Sequence, residues 1–475
     1  MNQDTTQSKD TDRALQPFWN KQCADIASRM WMPTAVNATT QVINNTWFDV
    51  SMSKHDAAGQ FPSFEFSIAT QQLDTPLKTR KIRIYPTAEQ RSIMRRMMGT
   101  ARYVYNQTVE YLKQDGTKAN WMGIKGGIIN SLPEWAKEIP YQVKSVAVRD
   151  ACEAVKSAKK KFKQTGKLNE VSFRSRKAPR QSLFVNMTTI NDHAIFPKLL
   201  GDMKFTEQVP KEIKHDCRLV LEDNYRWYVV IPVECETAEA PRTKDKAISI
   251  DPGVRTFLTG YCEKGILEIG KDAQTRIIAL CFQLDKMQRK MTKVKARRRQ
   301  NIKRAWRRLK FRLECLKTEL LWKSTTFLAK SFDTIVIPPF CAKDMAKKAK
   351  RRITSKTVRA MMSLAHSRFR AILDWQCRKY GSHMLLVSEE YTSKTCPSCG
   401  RLHETLGGRK VFRCPSCGYQ APRDANGAFN IMLKAMTDSS ALQKQSATVS
   451  YVNRNESAMV DSPALHKQSA TVGFC

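Results

Sequence analysis

Residues 387–400 read VSEEYTSKTCPSCG, and two carboxylates, Glu389 and Glu390, stand directly before a Cys-Pro-Ser-Cys knuckle. A second knuckle follows fourteen residues later, so Cys396, Cys399, Cys414 and Cys417 form two CPSC halves of one cluster. Four thiolates at that spacing converge tetrahedrally on Zn²⁺, and Gly400 and Gly418 supply the tight turns that a zinc ribbon needs. Four cysteines leave no open coordination position, so this zinc is expected to hold shape. Any chemistry must come from elsewhere, and the acids in front of the ribbon are the first place to look.

Working outward, the apolar run HMLLV (383–387) ahead of those acids reads as a strand, and DTIVIPPF (333–340) as another, ended by two prolines. A helical segment at about 356–379 separates them, and strand, helix, strand predicts a parallel pair. Farther upstream, AISIDPG (247–253) is a strand broken by Pro252 and Gly253, and FLTGYC and ILEIG around EKG read as a hairpin. Between these strands Leu280, Leu284, Met287, Met291 and Val294, then Ile302, Trp306, Leu309, Leu313, Leu316 and Leu320, step four and three, which predicts paired helices along one seam.

The N-terminal half has a different texture. KIRIYP (81–86) predicts a strand, Ile93, Met97, Ala101, Tyr105, Thr108 and Leu112 a helix, and residues 143–167 a basic helix. VSFRSRKAPRQSLFV, GDMKFTE and RWYVVIPVEC then read as short strands, giving a β-module with a helical insertion. Residues 1–78 show isolated aromatics such as Trp19 and Trp47 without a period, and no function is assigned to them. The polar tail from 437 carries ALQKQSATV (441–449), repeated as ALHKQSATV (464–472), and is expected to be disordered.

Lys and Arg number 81 against 44 Asp and Glu, a formal charge of +37, which attracts a polyanion over a wide surface. Nucleic acid is the expected partner. No apolar run of about 18 residues and no signal-peptide core is present, so a soluble, intracellular protein without a membrane partner is expected. Of 14 cysteines, ten lie scattered, which suits reduced thiols better than a disulfide framework. Between Asp285 and Glu314 there is no acid, while fourteen positions are Lys or Arg, among them Arg297, Arg298, Arg299, Arg307 and Arg308. Such a run is either a solvated helix face or a phosphate contact. KKAKRR (347–352) reads as a nuclear-import signal, though short basic runs also arise by chance.

Two-metal hydrolysis of nucleic acid needs several carboxylates at one point. Asp251 ends the strand AISI before Pro252 and Gly253, where it is either a turn former or a side chain at the sheet's carboxyl edge. Asp424, in PRDANGAFNIMLKAM, opens a helix as an N-cap or as a further acid of the same site. Arg423 beside it is either a surface arginine or a contact to the scissile phosphate.

DPGVR, the paired helices, TIVI, YTSKTCPSCG, CPSCG and RDANGAFNI, in this order, resemble the RuvC nuclease domain and inserted zinc ribbon of TnpB proteins, and KIRIYPTAEQ, ARYVYNQTVEYL and RWYVVIPVE resemble their wedge and recognition regions. The resemblance spans roughly residues 80–436 and extends to the type V CRISPR effectors. It implies a multidomain α+β protein: an unassigned extension (1–78), an N-terminal β-barrel wedge (79–240) with a helical recognition insertion (about 88–167), an RNase H-like RuvC α/β domain (247–395) with a helical hairpin insertion (about 272–330), the zinc ribbon (396–418), a last helix (419–436) and the tail (437–475). It implies an RNA-guided DNA endonuclease: a guide (omega) RNA, one protein chain per RNA, and target double-stranded DNA beside a short adjacent motif. Two Mg²⁺ ions, or Mn²⁺ in their place, would act in cleavage, with Zn²⁺ structural.

One departure matters. The family's middle acid ends the second core strand, where this chain has Pro338. In Fanzor proteins, the relatives in eukaryotes and their large viruses, a Glu just before the YTSK segment takes its place, and here that position offers Glu389 and Glu390. Neighbouring parallel strands lie roughly 5 Å apart, a gap a Glu side chain can largely span. Glu389 shares the parity of Leu385 and Val387, Glu390 that of Met384 and Leu386, so strand pattern does not choose. The position two residues before Tyr391 favours Glu389 by resemblance, giving Asp251, Glu389 and Asp424 as the implied Mg²⁺ ligands, with Glu390 as the alternative. A Fanzor-type chain is expected in the nucleus of its host. The rivals are a nucleic-acid binder that lost cleavage with the acid at Pro338 and a transposase.

Overall fold

The computed structural model describes residues 19, 21–30, 32–33, 39–41, 46–54, 77–223, 225–235, 245–340, 346 and 354–437. The basic run 347–352 and the repeated tail lie outside these. The chain divides into two units, one of residues 77–235 and one formed by the described residues before and after it. The first elements in chain order are helix α1 (Lys21–Arg29) and strands β1 (Thr39–Gln41) and β2 (Asp49–Lys54).

In the 77–235 unit, β3 (Leu77–Tyr85) alternates: Ile82 and Ile84 are buried while Lys81 and Arg83 are half-exposed. Thr87 and Gln90 then close a reciprocal capping box, Thr87 Oγ1 accepting from Gln90 N at 3.2 Å and Gln90 Oε1 from Thr87 N at 2.9 Å. This starts α2 (Ala88–Tyr111), which is followed by α3 (Trp121–Asn130), α4 (Glu134–Lys137) and α5 (Tyr141–Thr165), ended by Gly166 at φ +65°. After these helices come β4 (Arg180–Val185), α6 (Pro197–Leu200), β5 (Lys204–Phe205), β6 (Cys217–Glu222) and β7 (Trp227–Glu234). The antiparallel sheet runs β4-β6-β7-β3-β5 and packs Ile82, Leu183, Trp227 and Val229 against Met94, Met97 and Val148 of the helices. Its order is open, and no pairing of described strands closes it into the barrel that the resemblance implies. Only the end of VSFRSRKAPRQSLFV is strand. Earlier in that stretch Asn106 of α2 takes both backbone groups of Arg174, at 2.8 and 3.1 Å, which a strand partner would otherwise use.

The other unit continues with β8 (Asp245–Pro252), β9 (Thr256–Cys262), β10 (Gly265–Lys271), α7 (Ala273–Thr292), α8 (Ala296–Ser331) and β11 (Phe332–Ile337). Then come α9 (Ser355–Leu364), α10 (His366–Tyr380), β12 (His383–Leu386), β13 (Val411–Arg413), β14 (Gln420–Pro422) and α11 (Arg423–Thr437). Its sheet runs β1-β2-β10-β9-β8-β11-β12, with β11 parallel to both neighbours and in register with β12 from Thr334 opposite His383 to Ile337 opposite Leu386. The helical segment before β12 is two helices. Ala365, at φ +54°, breaks it, and His366 stacks on Phe257 with ring centroids 5.1 Å apart.

Along the α7–α8 seam Leu280, Leu284, Leu313 and Leu320 are buried, whereas Met287, Met291, Ile302, Trp306 and Leu309 are only partly covered. The seam therefore thins toward the turn between the helices, where the arginines cluster. The N-terminal residues join this unit: β2 adds to the β10 edge, and Ala27 and Met30 pack in one cluster with Phe429 and Met432 of α11. A nine-residue helix and strands of three and six residues are too short to show a period. Among the described residues no helix is long and apolar enough to cross a membrane.

Candidate functional site

On β8, Ala247, Ser249 and Asp251 share one face because side chains alternate along a strand. Ser249 Oγ donates to Ala428 O at 2.7 Å and so ties that face to α11. Two residues on, Asp251 meets the same helix at Gly427, where an added Cβ would lie 2.6 Å from Asp251 Oδ2. Asp424, three residues before Gly427, stands on the same side of the helix in its first turn.

The third carboxylate arrives from β12. Val387 N donates to Ile337 O at 3.2 Å, which carries the parallel pairing one step past the strand. Leu385 and Val387 are buried in the cluster containing Ala428 and Phe429, so this parity faces α11, and Glu389 continues it. Glu390 belongs to the opposite face and is exposed, while Glu389 is half-buried. Pro338 is buried at the end of β11 and offers no carboxylate.

The loop after Glu389 is fixed from both sides. Glu389 O accepts from Thr392 Oγ1 at 2.9 Å, and Tyr391 takes φ +64°. Asn430 Nδ2 donates to Thr392 O and Thr395 O at 2.8 and 2.9 Å, and Asn426 Nδ2 to Thr395 O at 3.1 Å. These two asparagines, four apart on α11 and fully buried, lock the Glu389 loop to the helix that carries Asp424. Only the fold shows their role; in sequence, their spacing within RDANGAFNI was the available signal.

The electrostatics agree with this convergence. Burial pushes the Asp251 carboxyl up to about 7, and the charges of Asp424 and then Glu389 add to it, with Arg423 opposing. Burial, then Glu390, raises Glu389 above the ordinary carboxylate range. No ion pair among the described residues engages Asp251, Glu389 or Asp424. Hard oxygen donors crowded without a counter-ion suit Mg²⁺ or Mn²⁺.

Gly427→Ala is expected to displace Asp251 Oδ2, because the helix is tied to β8 through Ser249 and cannot back away. The overpacking costs about 1–3 kcal/mol, visible as a lower Tm. Nucleic-acid cleavage, measured beside it, should fall further than the loss of folded protein explains.

The four cysteine sulfurs lie within 4.8 Å of one another, with Cys396 to Cys417 and Cys399 to Cys414 each at 3.6 Å. A Zn–S bond of about 2.3 Å requires sulfur separations of roughly 3.8 Å, so the cage fits Zn²⁺. Gly400 and Gly418 both take φ +72°. A Cβ on Gly400 would also meet Trp19 Nε1 at 1.9 Å, so this indole lies directly on the first knuckle. Tyr419 Oη donates to Pro33 O at 3.0 Å. Nothing in the sequence marked Trp19 or Pro33 for this position.

Past the second knuckle, β14 pairs with β13 and runs straight into α11, so ribbon and Asp424 are joined without slack. Arg423 is turned into the ribbon, its Nη1 donating to Gly407 O at 2.7 Å and its backbone N to Lys410 O at 2.9 Å. Arg297, Arg298, Arg299 and Arg308 are exposed on α8 and Arg307 is partly covered. Trp306 is partly covered, with Lys310 Nζ 5.1 Å from its ring centre.

Comparison with known proteins places this geometry in context. A family model described as "Probable transposase" (OrfB, IS605) matches residues 230–369, a "Helix-turn-helix domain" model of the same group matches 77–115, and a "Cas12f1-like, TNB domain" model matches 366–431. The chain is 22% identical over 451 residues to "TnpB-like protein L770" of Acanthamoeba polyphaga mimivirus, covering 86% of each. It is 26% identical over 382 residues to "Putative RNA-guided DNA endonuclease InsQ" of Escherichia coli K12, covering 75% of this chain and 92% of that one. Among solved structures, CasPhi-2 (Cas12j) bound to crRNA aligns over 77% of this chain and 99% of that chain at 12% identity, with a TM-score of 0.40, a likeness too slight to carry weight.

Proposed function

We propose, since the chain belongs to the TnpB/IS605 family, that it is an RNA-guided DNA endonuclease, with Asp251, Glu389 and Asp424 as the ligands of its catalytic cations. The observation that carries this reading is the approach of those three acids from two strands and one helix to the same end of one sheet. The order of the five strands β10 to β12, a three-stranded meander followed by two parallel strands, supports an RNase H-like core. Bound Mg²⁺ would supply a metal-activated water and stabilise the leaving 3′ oxygen.

The chain's own residues set the stage for this chemistry. Gly427 leaves room for the Asp251 carboxylate, Asn426 and Asn430 fix the loop of Glu389, and Zn²⁺ on Cys396, Cys399, Cys414 and Cys417 sets where α11 begins. Glu389 in place of an acid at Pro338 is the Fanzor arrangement. Its partners would be a guide (omega) RNA, one chain per RNA, and double-stranded DNA beside a short motif. On this reading the chain works in the nucleus. Arg297, Arg298, Arg299, Arg307 and Arg308 would meet phosphates of the guide–target duplex.

The test is to purify the protein with its co-expressed RNA, sequence that RNA, and assay Mg²⁺-dependent cleavage of a plasmid carrying the matching sequence. A defined RNA and a linearised plasmid are the expected results. Protein that retains no RNA contradicts the guided mechanism. RNA retained without cleavage leaves a binder, and strand joining without guide dependence identifies a transposase.

A further inference from the structure

We propose that the 77–235 unit holds a pocket for a single unpaired nucleotide, its base stacked on Trp135 and its phosphate on Arg102; this rests on the nucleic-acid reading above. A cavity of about 450 Å³ lies between α2 and α4 within this unit, lined by Arg96, Gly99, Arg102, Tyr103 and Trp135 among others. That volume lies within the range of small-ligand sites.

Helix α2 has two faces. Met94, Met97, Ala101, Val104 and Thr108 fill the core, while Arg96, Gly99, Tyr103 and Asn106, stepping three, four, three, line the cavity. Gly99 is the telling residue. Glycine inside a helix is disfavoured relative to alanine, and here packing gives no reason for it, because an added Cβ would meet only Arg102 Nη2, at 3.9 Å. What glycine does at this position is keep the cavity open.

Its walls suit a nucleotide. Trp135 is 52% exposed although it is a large aromatic, and Tyr103 holds it edge-on at 5.2 Å between ring centres, leaving the indole face free to stack. Arg102 is steadied by Gln181 Oε1 at 3.0 Å, and no ion pair among the described residues engages it. Burial, and then the charge of Arg176, disfavour the Arg102 cation, a cost that a bound phosphate would offset. Glu138, 3.3 Å from Arg96, places an acceptor at the rim for a base amino group.

The test uses the full-length protein and three fluorescent 12-mers: rU12, dT12 and a blunt DNA duplex. Trp135→Ala should weaken single-strand binding roughly 5- to 150-fold, the share of one stacked base, while Trp135→Phe stays near wild type and duplex binding is unchanged. Gly99→Leu, which fills the cavity with a better helix former, should raise Tm yet weaken single-strand binding to the same degree. A preference for rU12 assigns the pocket to guide RNA, and equal or stronger dT12 binding assigns it to displaced DNA. Trp135→Ala and Gly99→Leu proteins that bind both single strands as wild type does would overturn the pocket. A wild-type protein that binds none of the three probes instead overturns the nucleic-acid reading beneath it.

Discussion

Asp251→Asn is expected to abolish cleavage and at the same time to stabilise the cation-free protein. The first effect follows from removing a charge where cations must be held: losing even one group that stabilises developing charge costs about 10²–10³ in rate, and losing a metal ligand costs at least that. The second follows from the sign of the carboxyl's displacement. Its native value is raised, from 3.8 to about 7, by burial and by Asp424 and Glu389. A raised group gives its full stabilisation only below its unfolded value and loses it as pH climbs through the native one. Without Mg²⁺ the wild-type protein should therefore lose stability between about pH 4 and 7, and Asn should remove that dependence. At pH 7.5 a gain of about 2–4 °C in Tm is expected for each kcal/mol recovered. Melting curves across pH, with and without Mg²⁺, read the effect. A variant that is inactive and less stable than wild type at every pH would mark Asp251 as a structural residue.

Cys396→Ser should be the most damaging substitution in the chain. Cys396 is fully buried, and structural zinc contributes on the order of 10–16 kcal/mol to the fold of such small units. The ribbon has little else: its own apolar cluster is Leu406 and Phe412 with two of the cysteines, with Tyr419 packed against it. Because β14 runs directly into α11, a melted ribbon also releases the start of the helix that carries Asp424. Metal analysis of purified protein is expected to find one zinc per chain in wild type and none in the variant. Proteolysis should cut the variant between 396 and 422, cleavage activity should vanish, and the 77–235 unit should remain resistant. After chelation, Mg²⁺ alone should restore wild type only while zinc is retained. A variant that keeps activity without zinc would remove the ribbon from the account.

What could be read from the sequence was what is written in a short stretch of chain. The parallel strands on either side of the α9 and α10 region and the hairpin after Asp251 follow from short apolar runs bounded by turn residues, the α7–α8 seam from four-three steps, and the ribbon from cysteine spacing. The choice between Glu389 and Glu390 could not be read, because parity says that two residues face opposite ways and not which way the partner helix lies. That is fixed by α11, packed against Leu385, Val387 and Ser249 from more than 35 residues away. The N-terminal residues were silent for a similar reason. Trp19 and β2 gain their place only from groups far along the chain, Gly400 and β10. The break at Ala365 left no trace either, since alanine is the best helix former and its left-handed backbone accompanies the burial of His366 beside Phe257.

The measurement that bears most directly on the whole account compares Glu389→Gln with Glu390→Gln for cleavage of guide-matched plasmid DNA in Mg²⁺. Glutamine keeps the volume and removes the charge in both. If Glu389 supplies the carboxylate missing at Pro338, Glu389→Gln loses at least ~10²-fold in rate and Glu390→Gln cuts within a few-fold of wild type. Equal activity in the two variants, or loss confined to Glu390→Gln, would contradict it.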